Sequence, residues 1–180
     1  MRPGTEEVPG RSRVRLRRLT VVLMTTITVT EQTTATPEQF LAALTDFGPQ
    51  RSQVWTNSKP EFLVVHEHGA TWADVTEGSK AAGAVWERLR YDWSNPTDIV
   101  LTTTDSNIWG NGSGHRYTLT QAADGSTSVH AVIVRNGISF KGRMIGALLA
   151  PVGTRFISKS LRTALRAIEA RSANEPPTDS

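Results

Sequence analysis

A carboxylate, an imidazole and two phenols recur at alternating positions in two short stretches, Val85 to Trp93 and Gly114 to Gln121. If each stretch is a strand, successive side chains point to opposite faces. Val85, Glu87, Leu89, Tyr91 and Trp93 then share one face, and Trp86, Arg88, Arg90 and Asp92 the other. The first set is expected to look inward. The same alternation sets His115, Tyr117 and Leu119 against Arg116, Thr118 and Thr120, with His115 and Tyr117 pointing in. Desolvation among apolar neighbours would raise the Glu87 pKa and suit it to proton transfer or to a ligand hydroxyl. Imidazole is poised near neutral pH and a phenol donates to a carbonyl. Glu87 and His115 as acid and base, with Tyr91 or Tyr117 as donor, could therefore enolise or dehydrate a ketone. The same four side chains are also the polar lining an amphipathic pocket needs to orient a ligand. The residues leave both readings open. In a pure binder, Glu87→Gln is expected to keep binding and leave stability equal or higher, because a buried charge is removed.

Other constellations are weaker. His66 and His68 stand two apart on one strand face, without a clear third ligand, so no metal site is expected. Five tryptophans occur, most of them expected in the core. Trp109 is the exception, since Asn107-Ile108-Trp109-Gly110-Asn111-Gly112 is a glycine- and asparagine-rich loop that could form a mobile lid over a cavity mouth. Its glycines lack the following Lys-Ser/Thr of a phosphate loop and no parallel β-α unit surrounds them, so no nucleotide or other cofactor is expected.

The elements that must position these groups follow from composition and turns. The 180 residues suffice for one domain with a sizeable core. There is no cysteine, which excludes thiolate chemistry and disulfides and is compatible with the expected cytoplasmic location. No stretch approaches the ~18 to 20 apolar residues needed to span a bilayer. The net charge of +3 belongs to the first 18 residues, where six arginines face two glutamates; the remainder sums to −1. Residues 1–18 are expected to be a disordered basic extension, with Met24 as an alternative start. Residues 172–180, with Pro176 and Pro177, read as a disordered tail.

Between them, Thr20 to Thr30 is rich in β-branched residues and predicts the first strand. Thr36 then caps a short helix that opens on Pro37, and Gln50 to Trp55 predicts a further helical turn. Six strand candidates follow: Glu61 to Glu67, Ala70 to Glu77, Gly83 to Trp93, Thr97 to Thr104, Gly114 to Gln121 and Ser126 to Arg135. His68-Gly69, Gly78-Ser79, Asn95-Pro96, Asn111-Gly112 and Asp124-Gly125 punctuate them as an antiparallel meander. A long helical segment from Ile138 to Arg171 closes the chain, interrupted by Pro151, where it kinks or restarts. In its second half Arg155, Lys159, Arg162 and Arg166 form one stripe, opposite Ile157, Leu161, Ala164, Leu165 and Ile168. The stripe is a solvated face by default, and could attract anionic lipid headgroups at a membrane surface. Nucleic acid is not an expected partner, because the folded part is slightly acidic and the stripe lacks interleaved aromatics.

Strand, paired short helices, six-stranded meander and long terminal helix make up the helix-grip order, and the chain resembles the SRPBCC superfamily of START-like and Bet v 1-like proteins. Within it the polyketide cyclase/dehydrase group is most similar. The resemblance spans roughly Val21 to Arg171 and rests on Thr36 to Phe47, Trp86 to Trp93, Gly114 to Thr120 and Gly142 to Ala170. It implies an α+β fold: a curved antiparallel sheet of about seven strands over residues 20–171, wrapped around the terminal helix. It also implies a deep cavity for a hydrophobic molecule, such as a lipid or polyketide-like compound, used for binding or, in a cyclase, aromatase or dehydratase, for turnover. From the helix, Met144 and Leu148 are expected to line that cavity, and from the sheet Tyr91 and Tyr117.

Overall fold

The structure, a computed structural model, describes residues 24–80 and 83–174. The expected basic extension at 1–18 lies outside the described residues. Strand β1 (Met24–Thr33) leads to helix α1 (Pro37–Thr45) and the single turn α2 (Arg51–Val54). The meander then runs through β2 (Val64–His68), β3 (Trp72–Ser79), β4 (Val85–Asp92), β5 (Asp98–Ser106), β6 (Gly114–Gln121) and β7 (Thr127–Asn136). Helix α3 (Phe140–Asn174) closes the chain. The sheet order is β1-β7-β6-β5-β4-β3-β2 and every pairing is antiparallel, so the first strand returns beside the last. This is the α+β arrangement that the turn chemistry implies.

Local departures have local causes. The segment expected as a strand from Glu61 opens as a 3-10 turn, Pro60–Phe62, because Pro60 fixes φ and lacks a donor. A bulge at Arg88/Leu89 carries β5 on to Ser106, two residues past its expected end, and keeps both Thr103 and Ser106 buried. Helix α1 starts on a reciprocal capping box: the Gln39 amide donates to the Thr36 hydroxyl at 3.3 Å, and the Thr36 amide to the Gln39 side chain at 2.9 Å. Helix α3 is one element with Pro151 inside it, and it continues to Asn174 rather than ending at Arg171.

The sheet's inner face and the second half of α3 make the core. Leu161, Ala164, Leu165 and Ile168 are buried there, as the periodicity of that half dictates. Phe40 of α1, fully buried, packs on Trp55 and Tyr117 with ring centroids 6.0 and 5.5 Å apart. The first half of α3 behaves differently. Gly142, Gly146 and Gly153 are buried on its inner side, and the Thr25 hydroxyl donates to the Gly146 carbonyl at 3.2 Å. Lacking Cβ atoms, they turn their side of the helix toward β1 and the β7 junction. Phe140, Met144, Leu148 and Val152 of this half face outward.

Candidate functional site

Alternation fixes which side chains enter the space between sheet and α3. On β3 it sends in Ala73, Val75 and Glu77; on β4 Glu87, Leu89 and Tyr91; on β6 His115 and Tyr117; on β7 Ala131, Ile133 and Arg135. Glu77 and Glu87 are direct cross-strand partners, two carboxylates opposite each other on an inward face. Each has its own arginine. Arg51 of α2 approaches Glu77 at 2.6 Å. Arg135 donates to both oxygens of Glu87, at 3.2 and 3.3 Å, and its guanidinium faces the Trp109 ring at 5.3 Å. The Thr103 hydroxyl donates to Glu87 at 3.1 Å.

These partners reverse the sign expected for Glu87. Burial pushes its carboxyl up, but the Arg135 charge, with the Thr103 hydroxyl adding to it, outweighs burial and holds the group at about 2. Glu87 is thus a fixed anion at neutral pH, not a proton carrier. Burial and the neighbouring Arg135 push His115 down instead, so its ring is neutral. Arg135 Nη2 lies 2.6 Å from His115 Nε2, and a guanidinium only donates. Nε2 therefore accepts, Nδ1 carries the proton, and that buried Nδ1 has no partner among the described residues.

The phenols divide. The Tyr91 hydroxyl accepts from Arg51 at 2.9 Å and donates to Glu77 at 2.9 Å, so it is a structural member of the second ion pair. Burial and the Glu77 charge push its pKa well up. Burial lifts Tyr117 to about 12, leaving it a neutral donor. Its ring is stacked on His115 at 6.3 Å.

A recess of about 190 Å³ opens onto this cluster, bounded by Glu77, Glu87, Trp109, His115, Arg135 and, from α3, Phe156 and Ile157. Two smaller spaces adjoin it at His115: one of about 70 Å³ with Ile133 and Leu161 in its lining, and one of about 40 Å³ between Leu101 and the Arg51, Glu77 and Tyr91 group. A larger surface groove of about 410 Å³ shares only Trp109 with the recess and holds none of the inward ionisable groups.

The expected site residues are therefore partly gathered. Glu87, Tyr91, His115, Tyr117 and Trp109 converge. Trp109 is buried, and its loop is tied down rather than hinged: the Ser106 hydroxyl accepts the Ile108 and Trp109 amides, and Gly110 donates to Asn136 at 2.8 Å. Met144 and Leu148 lie elsewhere, 58% and 71% exposed on the outer face of α3, and line none of these spaces; Phe156 and Ile157 hold the place expected of them. The histidine pair is absorbed locally: His66 bonds Thr76 at 2.8 Å and His68 packs between Phe47 and Trp93. Among the described residues no group of three potential ligands could hold a metal.

Alternation along β3 and β7 would have found Glu77 and Arg135, which stand in phase with Val75 and Ile133. Nothing in the sequence marks Arg51. Its single helical turn has no periodicity, and only the folded chain buries it against Tyr91.

Among solved structures, the Zhui aromatase/cyclase from Streptomyces sp. R1128 superposes with a TM-score of 0.67 at 14% identity, over 83% of this chain and 96% of that one. A START superfamily protein from Mycobacterium smegmatis superposes with a TM-score of 0.60 at 10% identity, over 82% and 96%. The chain shares the helix-grip fold of these structures. The di-domain aromatase/cyclase StfQ from the steffimycin biosynthetic pathway matches over 84% of this chain and 52% of its own, with a TM-score of 0.60 at 13% identity. Comparison with family models and with curated protein sequences finds no match. At these identities the likeness concerns the fold. Among the described residues no helix is long and apolar enough to cross a membrane.

Proposed function

We propose that the protein binds a small hydrophobic molecule bearing a polar end, in the recess between the sheet and α3. The observation that carries this is the convergence of Arg135, ionised Glu87 and neutral His115 at a recess whose apolar walls are Phe156, Ile157 and Trp109. A recess walled by apolar side chains with a few convergent polar groups is the usual form of a small-molecule site. The recess is smaller than the ~300 to 1,000 Å³ usual for ligand pockets. That size favours a compact ring system over a long-chain lipid.

Ile157→Trp tests the reading, because Ile157 lines both the recess and the adjoining 70 Å³ space. Uptake of a hydrophobic fluorescent probe should fall while the melting temperature holds. Unchanged uptake would move the ligand elsewhere. Native mass spectrometry of protein purified from its source should show a retained small molecule.

A catalytic version draws support from the neutral His115 beside Tyr117 and from the likeness to aromatase/cyclases. Its base would be His115, once a ligand displaces Arg135 from Nε2, since Glu87 at about 2 holds no proton near neutrality. Turnover of a polyketide-like ketone that collapses in His115→Gln, with binding retained, would establish an enzyme of the cyclase or dehydratase kind. Binding without turnover leaves a carrier.

A further inference from the structure

The outer face of α3 changes character along its length. Phe140, Met144, Leu148, Val152 and Phe156 are all large, apolar and solvent-exposed, Phe140 by 80% and Leu148 by 71%. At about 100° per residue, Arg155, Lys159, Arg162 and Arg166 fall within about 40° of Leu148 on the same side, and all four are exposed. One continuous face thus reads apolar for about four turns and cationic for about three, the two overlapping at Arg155 and Phe156. Lys141 and Arg143 add charge beside the apolar part, and the helix carries no acidic residue before Glu169. Arg162 shares its charge with Glu31 at 2.7 Å. Apolar surface of this extent, in a row and edged by basic groups, is unusual on a protein that stays in water.

We infer that this face docks on an anionic lipid bilayer, the apolar half entering the headgroup boundary and the basic half resting on the phosphates. The two halves match the two layers of such a surface, and an interfacial helix buries its apolar side by about 5 to 10 Å. A second copy of the chain fits less well. Two-fold pairing through this face offers the basic stripe no acidic partner, since the helix carries none before Glu169. Phe156 belongs both to the apolar row and to the wall of the recess, so docking brings the recess mouth to the bilayer surface. The docking face itself does not depend on whether the recess binds a ligand.

The test is flotation of the full-length protein with vesicles of phosphatidylcholine alone and with about one third phosphatidylserine. The wild type should float with the anionic vesicles, weakly with neutral ones, and less as salt rises. Met144→Ser/Leu148→Ser should release it. Arg155→Glu/Lys159→Glu should weaken binding by more than roughly 30-fold, since each lost basic residue near an anionic surface is worth about a factor of 5 before the reversed charge is counted. All four positions are exposed, so the variants should melt with the wild type. Absence of the wild type from anionic vesicles overturns the proposal and leaves the face for an acidic protein partner. Equal binding to both vesicle types also overturns it. So does undiminished binding of the helix variants, which would assign the attraction to the arginines of residues 1–18.

Discussion

An ionised carboxylate inside a sheet persists because a cation is fixed beside it, and the consequence is sharpest for Glu87. With Arg135 only 10% exposed at its side chain, Glu87→Gln strands a buried guanidinium. Removing one member of a buried pair costs about 3 to 5 kcal/mol, so urea denaturation should show a loss of that size, opposite in sign to the gain that Glu87 considered alone implies. The double variant Glu87→Gln/Arg135→Met should recover much of it. Titration follows the same partners. Glu87 has a folded pKa of about 2 against an ordinary value of 4.5, so its stabilisation is complete above about pH 4.5 and is lost as pH falls toward 2. That difference is worth about 3 kcal/mol. His115 is also held below its ordinary value, so the unfolded chain takes up its proton first, and stability declines with falling pH from about 6.5. Stability measured against pH should therefore fall in two stages on acidification, and His115→Gln should remove the first. A single acidic transition unaffected by His115→Gln would place the neutral ring elsewhere.

At the scale of elements, the junction of β7 and α3 decides where the helix lies. A Cβ at Gly142 would meet the Ile108 carbonyl oxygen, and one at Gly137 would meet the backbone of Gly142 and Arg143. Gly142→Ala should destabilise by about 1 to 3 kcal/mol through forced displacement, and the emission of Trp109, whose loop is held at this junction, should shift with it. Leu148→Trp gives the contrasting outcome. Because Leu148 faces solvent, a larger side chain there should alter neither probe uptake nor melting temperature, whereas Ile157→Trp should block uptake. The exposure of Leu148 was legible in principle: Gly142, Gly146 and Gly153 lie opposite it on the helical wheel. What no periodicity conveys is that β1 approaches the glycine side closely enough for Thr25 to reach the Gly146 carbonyl.

Across the whole molecule, stability rests on the second half of α3 closing over the sheet. Leu161 is buried between them, so Leu161→Ala should cost about 2 to 5 kcal/mol and lower the denaturant midpoint without changing the slope. A cost below about 1 kcal/mol would mean that this half of the helix is not gripped. The order of elements, the hairpin connections, the cap at Thr36 and the inward face of β4 and β6 were determined by the sequence alone, since each depends on residues within a turn or a few strand positions of one another. The partners of Glu87 were not. Arg135 stands 48 residues from it, and Arg51 stands 40 from Tyr91. Only the assembled sheet and the packed second helix bring those charges within hydrogen-bond distance. A carboxyl pKa in a protein interior is set by its nearest charge as much as by burial, so the chemistry of the site was decided in the tertiary structure, while its location was written in the alternation of the strands.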